Sequence, residues 1–159
     1  MKGKVGIRIL SYVLGALQLF IGITAILGGS ALVLDPSGVA AKAPLEWLNN
    51  SPFENYLIPG LLLLIIIGGG HVLGGIFSFL LSKHSPIITG TFGIILFFFM
   101  SLELWFIGLR NFMQPMYLMF GVLLVFLCLK QRSLMIKFAG KPSPSDHSIN
   151  PSINTVSYQ

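Results

Sequence analysis

Four long apolar runs constrain this chain more than any other feature of its sequence. They cover approximately Ile9 to Leu34, Tyr56 to Leu81, Ile87 to Ile107 and Pro115 to Leu129. A hydrocarbon core about 30 Å thick takes roughly 20 helical residues to cross. The first three runs meet that length. The fourth has only 15 apolar residues and must borrow length from Phe112 and Met113 or from snorkelling Lys130 and Arg132. Charged residues make up 9% of the chain, against roughly 25% in an ordinary soluble domain. The expected fold class is therefore all-α and integral to a membrane. The link 82–86 and the link 108–114 are short, so sequential helices become antiparallel neighbours. The architecture expected is an antiparallel up-down four-helix transmembrane bundle over residues 1–139, with a longer loop at 35–55.

Lys2, Lys4 and Arg8 precede the first run, as in a secretory signal. A signal's apolar region is about 7–15 residues, however, and ends at a small-residue cleavage site. This run is longer and ILGGSALVLD offers a poor site, so it reads as a retained anchor. With both termini cytoplasmic, Lys2, Lys4, Arg8, Lys83, Lys130, Arg132, Lys137 and Lys141 lie inside, leaving only Lys42 and Arg110 outside. Eight against two is the positive-inside bias of a cell-membrane protein. The net charge of +5 is accounted for by insertion and anionic headgroups, not by nucleic acid. After Gly140 the Ser-, Pro- and Asn-rich tail, residues 140–159, has little to bury and is expected to be a disordered cytoplasmic tail.

Local grammar adds detail to the loop. DPSG at 35–38 signals a turn, with Pro36 pre-setting φ and Gly38 closing it. Pro44 to Asn49 can form a short helix with Leu45, Trp47 and Leu48 in the membrane interface and Glu46 in water, or stay irregular with Trp47 in the aromatic belt. In SPFENYLIPG, Ser51 and Glu54 have capping-box spacing with Pro52 at the first helical position. Pro59 would then stand eighth, remove a backbone bond and kink the second helix, with Gly60 easing the bend. Gly15, Gly22 and Gly29 recur every seven residues, and Gly70 with Gly74 forms a GxxxG. Such stripes let backbones approach where lipid gives no hydrophobic drive. They are expected to pack helices within the bundle rather than to dimerise it.

Polar residues at membrane depth are the functional candidates, because burying them is costly. Gln18 and His71 fall at nearly the same depth and are expected to form a core polar pair. They serve either as interhelical glue or as part of a proton or ligand site. Glu103 lies about 9 Å outward of the midplane, six residues at 1.5 Å each, and Arg110 follows seven residues later. An ion pair of Glu103 with Arg110 is one reading and an externally facing ligand site is the other. The single cysteine, Cys128, excludes an intramolecular disulfide and CxxC redox chemistry, and reads as a small hydrophobe. HExxH, GxSxG, Walker and paired-aspartate patterns are lacking, so no catalytic residue, metal site or cofactor is expected.

The segments DPSG, PLEWLNNSPFENYLIPGLLL and LELWFIGLRNFMQPMYLMFG, with a glycine-rich second span between them, resemble a group of small four-span bacterial membrane proteins with no assigned activity. The resemblance covers roughly residues 9–130. It implies the four-span fold, a bacterial inner or plasma membrane, and nothing about chemistry. The expected function is that of a non-enzymatic structural, accessory or small-ligand-binding membrane protein. The alternative is a subunit of an oligomeric small transporter or channel. Its expected partners are the lipid bilayer and either a second copy or another membrane protein. A polar cavity running from Glu103 to His71 would favour transport; dry packing between them would favour the first reading.

Overall fold

A computed structural model describes residues 2–139, and the tail from 140 onward lies outside the described residues. Four long helices cover Lys2–Leu34, Leu57–Phe79, Ser85–Ile107 and Met113–Ala139, with no strand among the described residues. They are counted below as the first to the fourth. Each is long and apolar enough to cross a membrane. The fourth extends beyond its 15 apolar residues at both ends, taking in Met113 on one side and Lys130 and Arg132 on the other. Its helix continues past Leu129 through Lys130, Gln131 and Arg132 to Ala139, and Gln131 is fully buried. Charged residues at that point flank the buried face without ending the helix.

The loop after the first helix is fastened at several points. Gly38, with φ of 78°, donates its N–H to Asp35 O at 3.0 Å, closing the expected turn. The Asp35 carboxylate accepts from the Ser37 hydroxyl and N–H and from Ala40 N–H. Those bonds, the Ser37 hydroxyl foremost, hold its pKa below the usual range. A 3-10 helix covers Leu45–Leu48 with Leu48 buried. Tyr56 then ties the loop to the second helix, donating its N–H to Pro36 O and its hydroxyl to Pro44 O, both at 3.0 Å.

That tie overturns the expected capping box. Because the Tyr56 N–H is committed to Pro36, the helix begins only at Leu57, whose N–H is met by Asn55 Oδ1 at 3.0 Å. Ser51 instead accepts from the Phe53 N–H, and Glu54 is exposed. Pro59 consequently falls in the first helical turn, where a missing N–H breaks no intrahelical bond. The proline itself therefore gives no cause for a kink. The irregularity lies further on, where Leu62–Gly69 is π-helical between α-helical Leu57–Leu61 and Gly70–Phe79.

The glycines explain that segment. Gly29 lies against Gly60 and Leu64, Gly22 against Gly68 and Val72, and Gly15 against Gly75 and Phe79. A Cβ at Gly22 would stand 3.0 Å from Gly68 O, and one at Gly29 2.8 Å from Gly60 O. The first helix spaces these contacts by seven residues and seven; the second spaces them by eight and seven. Seven residues at about 100° each fall some 20° short of two turns, whereas eight overshoot by about 80°. The π segment, bonding one residue further along than an α-helix, absorbs the additional residue and keeps Gly60 and Gly68 on one face.

The stripe on the first helix packs against Gly60, Gly68 and Gly75, and Gly70 and Gly74 make other contacts. Gly70 faces Phe92 of the third helix, and Gly74 makes room for the Gln18 side chain. A comparable close contact joins the third and fourth helices. Gly93 lies against Gly121 and Leu124, and Gly90 lies under Cys128 Sγ. Between the two glycine-packed pairs sits the apolar core: Leu14, Ile21, Ala25, Ile67, Leu96, Met100 and Leu124.

Candidate functional site

Polar side chains gather in two places, one buried in the core and one at the wall of a pocket. The first is a buried layer that engages all four helices. Gln18 Nε2 donates to Ser78 Oγ at 3.1 Å and to Thr89 Oγ1 at 3.0 Å. Ser78 Oγ lies 2.9 Å from Ser85 Oγ. Gln131 Nε2 donates to Ser11 Oγ at 2.8 Å and reaches Ser85 Oγ at 3.5 Å. Every one of these side chains is fully buried. Such bonds hold helices together in lipid at about 0.6–2 kcal/mol each.

His71 is also fully buried, yet the expected pairing with Gln18 does not occur. Its Nδ1 lies 2.8 Å from Ile67 O one turn back. A carbonyl accepts only, so Nδ1 carries the proton and Nε2 is left without a partner. The helix register explains the separation. Gln18 meets Gly74, three residues or about 4.5 Å along the axis from His71. Ser11, Ser78, Ser85, Thr89 and Gln131 were missed as candidates. Their signal was present: Ser11 and Gln18 are seven residues apart, Ser85 and Thr89 four, spacings that share a helix face.

The second place is a pocket of about 200 Å³ at the end of the bundle that carries the 35–55 loop. Leu32 of the first helix, Leu48 and Phe53 of the loop, and Tyr56 and Pro59 at the start of the second contribute to its wall. Phe99, Leu102 and Phe106 of the third helix complete it. Leu62 and Leu63, the first residues of the π segment and the one before Leu64 of the glycine seam, also line it. Among these apolar groups stands one carboxylate, Glu103.

Glu103 does not pair with Arg110. Gly108, with φ of 75°, ends the third helix, and the chain turns so that Arg110 lies elsewhere. Its Nε donates to Ile107 O at 3.0 Å, and its guanidinium sits 5.7 Å from the Trp47 ring centroid, a cation–π distance. Glu103 Oε1 accepts instead from Gln114 Nε2 at 3.0 Å. Gln114 Oε1 in turn accepts from the N–H groups of Arg110 at 2.8 Å and Asn111 at 3.2 Å. One buried amide therefore organises the turn between the third and fourth helices and orients the carboxylate. Gln114 was missed because it reads as the polar start of a span. Burial, and then the nearby Glu103 carboxylate, push the Tyr56 phenol above its ordinary pKa.

The space between the two places is closed. Met100 and Leu96 follow Glu103 down the third helix toward Phe92, whose ring lies 5.9 Å from that of His71. Ile67 precedes His71 on the second helix, and all three of these aliphatic residues are buried. No group of three or more His, Cys, Asp or Glu that could hold a metal ion occurs among the described residues. Comparisons with protein-family models, with curated proteins and with solved structures found no match.

Proposed function

We propose that this chain is a non-enzymatic multi-pass membrane protein that holds a small amphiphilic ligand at the outer ends of its helices. In this reading the four helices run antiparallel, up and down, with both termini on the cytoplasmic side of a bacterial plasma membrane. The reversed order of the glycine contacts, 29 with 60, 22 with 68 and 15 with 75, supports the helix directions. The distribution of Lys and Arg supports the orientation. One observation carries the functional reading: a single oriented carboxylate, Glu103, faces a pocket lined, apart from Ser51, by apolar and aromatic side chains. Concave apolar pockets with a few placed polar groups are the usual form of small-molecule sites. The apolar packing of Met100, Leu96 and Ile67 below the pocket favours binding over passage through the bundle.

The test is purification in native lipid particles followed by mass spectrometry of the copurified molecules. A reproducible species should accompany the wild-type protein and be depleted when Leu63→Trp fills the pocket. Equal recovery from both proteins, or no reproducible species, refutes the reading.

A further inference from the structure

The occupant of the Glu103 pocket is narrowed by what surrounds the carboxylate, an inference that rests on the pocket being a ligand site. One cation, Arg110, stands close by and does not serve it. Arg110 is held at Trp47 and the Ile107 carbonyl, and Gln114 offers a neutral amide. Only Oε1 of Glu103 has a hydrogen-bond partner among the described residues. A carboxylate taken partly out of water without a countercharge favours any cation that can reach it.

The rest of the wall suits a particular kind of cation. Phe53, Tyr56, Phe99 and Phe106 supply four aromatic rings. The Tyr56 hydroxyl is spent on Pro44 O at 3.0 Å, so that residue offers the pocket its ring and not a hydrogen bond. Rings attract cations through their π faces, and a cage of them is the usual receptor for alkylated ammonium groups. A strongly hydrated metal ion would find one carboxylate and the Ser51 hydroxyl, itself bonded to the Phe53 backbone, which suits neither calcium nor magnesium. An anion would meet Glu103 directly.

Size and access complete the description. About 200 Å³ is less than the roughly 300–1,000 Å³ of pockets that enclose a drug-sized molecule. It admits a headgroup and its first carbons. Leu102, part of the same wall, is 56% exposed on the outside of the bundle, so an attached chain can leave sideways among the acyl chains.

We propose that the pocket formed by Glu103 and the surrounding aromatic rings binds the alkylammonium headgroup of a single-chain or lipid-like cationic amphiphile, entering laterally from the outer leaflet. The experiment compares three probes of equal chain length in lipid nanodiscs at neutral pH: decyltrimethylammonium, decanol and decyl sulfate. Heats of binding are read by calorimetry against empty nanodiscs. The ammonium probe should bind at least tenfold more tightly than decanol, and Glu103→Gln should remove that preference. This variant keeps an oxygen to accept the Gln114 bond. Phe106→Leu preserves apolar volume and the carboxylate, and should weaken the ammonium probe severalfold while leaving decanol unchanged. If decanol and the ammonium probe bind equally, or decyl sulfate binds best, the cation assignment is overturned while the pocket reading stands. If none of the three exceeds the blank, both fall.

Discussion

Two neighbouring glycines on the first helix, Gly28 and Gly29, should respond oppositely to alanine. Gly28 is exposed, and a Cβ there would have Leu63 Cδ2 at 3.6 Å, an ordinary contact. At Gly29 the same atom would stand 2.6 Å from Leu64 N, 2.8 Å from Gly60 O and 2.9 Å from Leu64 Cα. All three obstacles are backbone, so no rotamer change relieves them. The first and second helices must separate by about 1 Å to restore normal contact, and inserting a methyl into a packed site costs about 1–3 kcal/mol. Both variants share the helix-propensity gain of alanine over glycine, about 1 kcal/mol, which cancels when they are compared. The expected outcome is Gly29→Ala less stable than Gly28→Ala by about 1–3 kcal/mol, measured by reversible unfolding in mixed micelles. Stabilities within about 0.5 kcal/mol of each other, the scatter of ordinary surface changes, would refute the glycine seam as the close contact.

Two further outcomes follow from the same geometry. Deleting Ile65, 63% exposed within the π segment, should let the second helix become regular and keep Gly60 and Gly68 on the seam. Deleting Leu73, which lies between Gly68 and Gly75 beyond the π segment, turns the rest of the helix by about 100° and should lower the melting temperature sharply; equal melting of the two deletions would refute the register argument. For Tyr56 the folded pKa is raised, so its contribution is complete below the unfolded value near 10 and is lost as pH climbs through the folded one. Tyr56→Phe should flatten the decline in melting temperature between pH 8 and pH 11 and cost about 0.5–1.5 kcal/mol at neutral pH through the lost Pro44 bond; an unchanged alkaline slope would contradict it.

The apolar runs were legible because the requirement to span lipid overrides local preference. The stripe at Gly15, Gly22 and Gly29 was legible because one α-helix with a period of seven displays it directly. Its counterpart at Gly60, Gly68 and Gly75 was hidden by the eight-residue interval, which becomes a stripe only once the π segment is known. Ser51 and Glu54 misled for a different reason. Their local signal is sound, but two tertiary bonds from Tyr56 to Pro36 and Pro44 decide where the helix starts. The Glu103–Arg110 expectation allowed for a helix end at Gly108, which is where the helix does end, but Arg110 turns to the Ile107 carbonyl and the Trp47 ring instead of folding back over Glu103. Gln114 could then take Glu103, and Trp47 could take Arg110.

The bundle divides into two halves with different physics. In the half containing Ser11, Gln18, Ser78, Ser85, Thr89 and Gln131, amides and hydroxyls on four helices bond to one another across the core. Each bond is modest in lipid, but breaking one strands a buried polar group, which penalises any change of register. Among the described residues, the half that carries the pocket has no such crosslinks between its spans apart from Glu103 with Gln114 and Tyr117 with Thr24. It has instead a π segment, a tied loop and apolar walls. π-bulges recur at functional sites because they place side chains where a regular helix would not; here the π segment begins at Leu62 and Leu63, which line the pocket, while Gly60 stays against Gly29. The stapled half fixes the register of the bundle, and that constraint leaves the other half free to accept an irregular helix around a lone carboxylate.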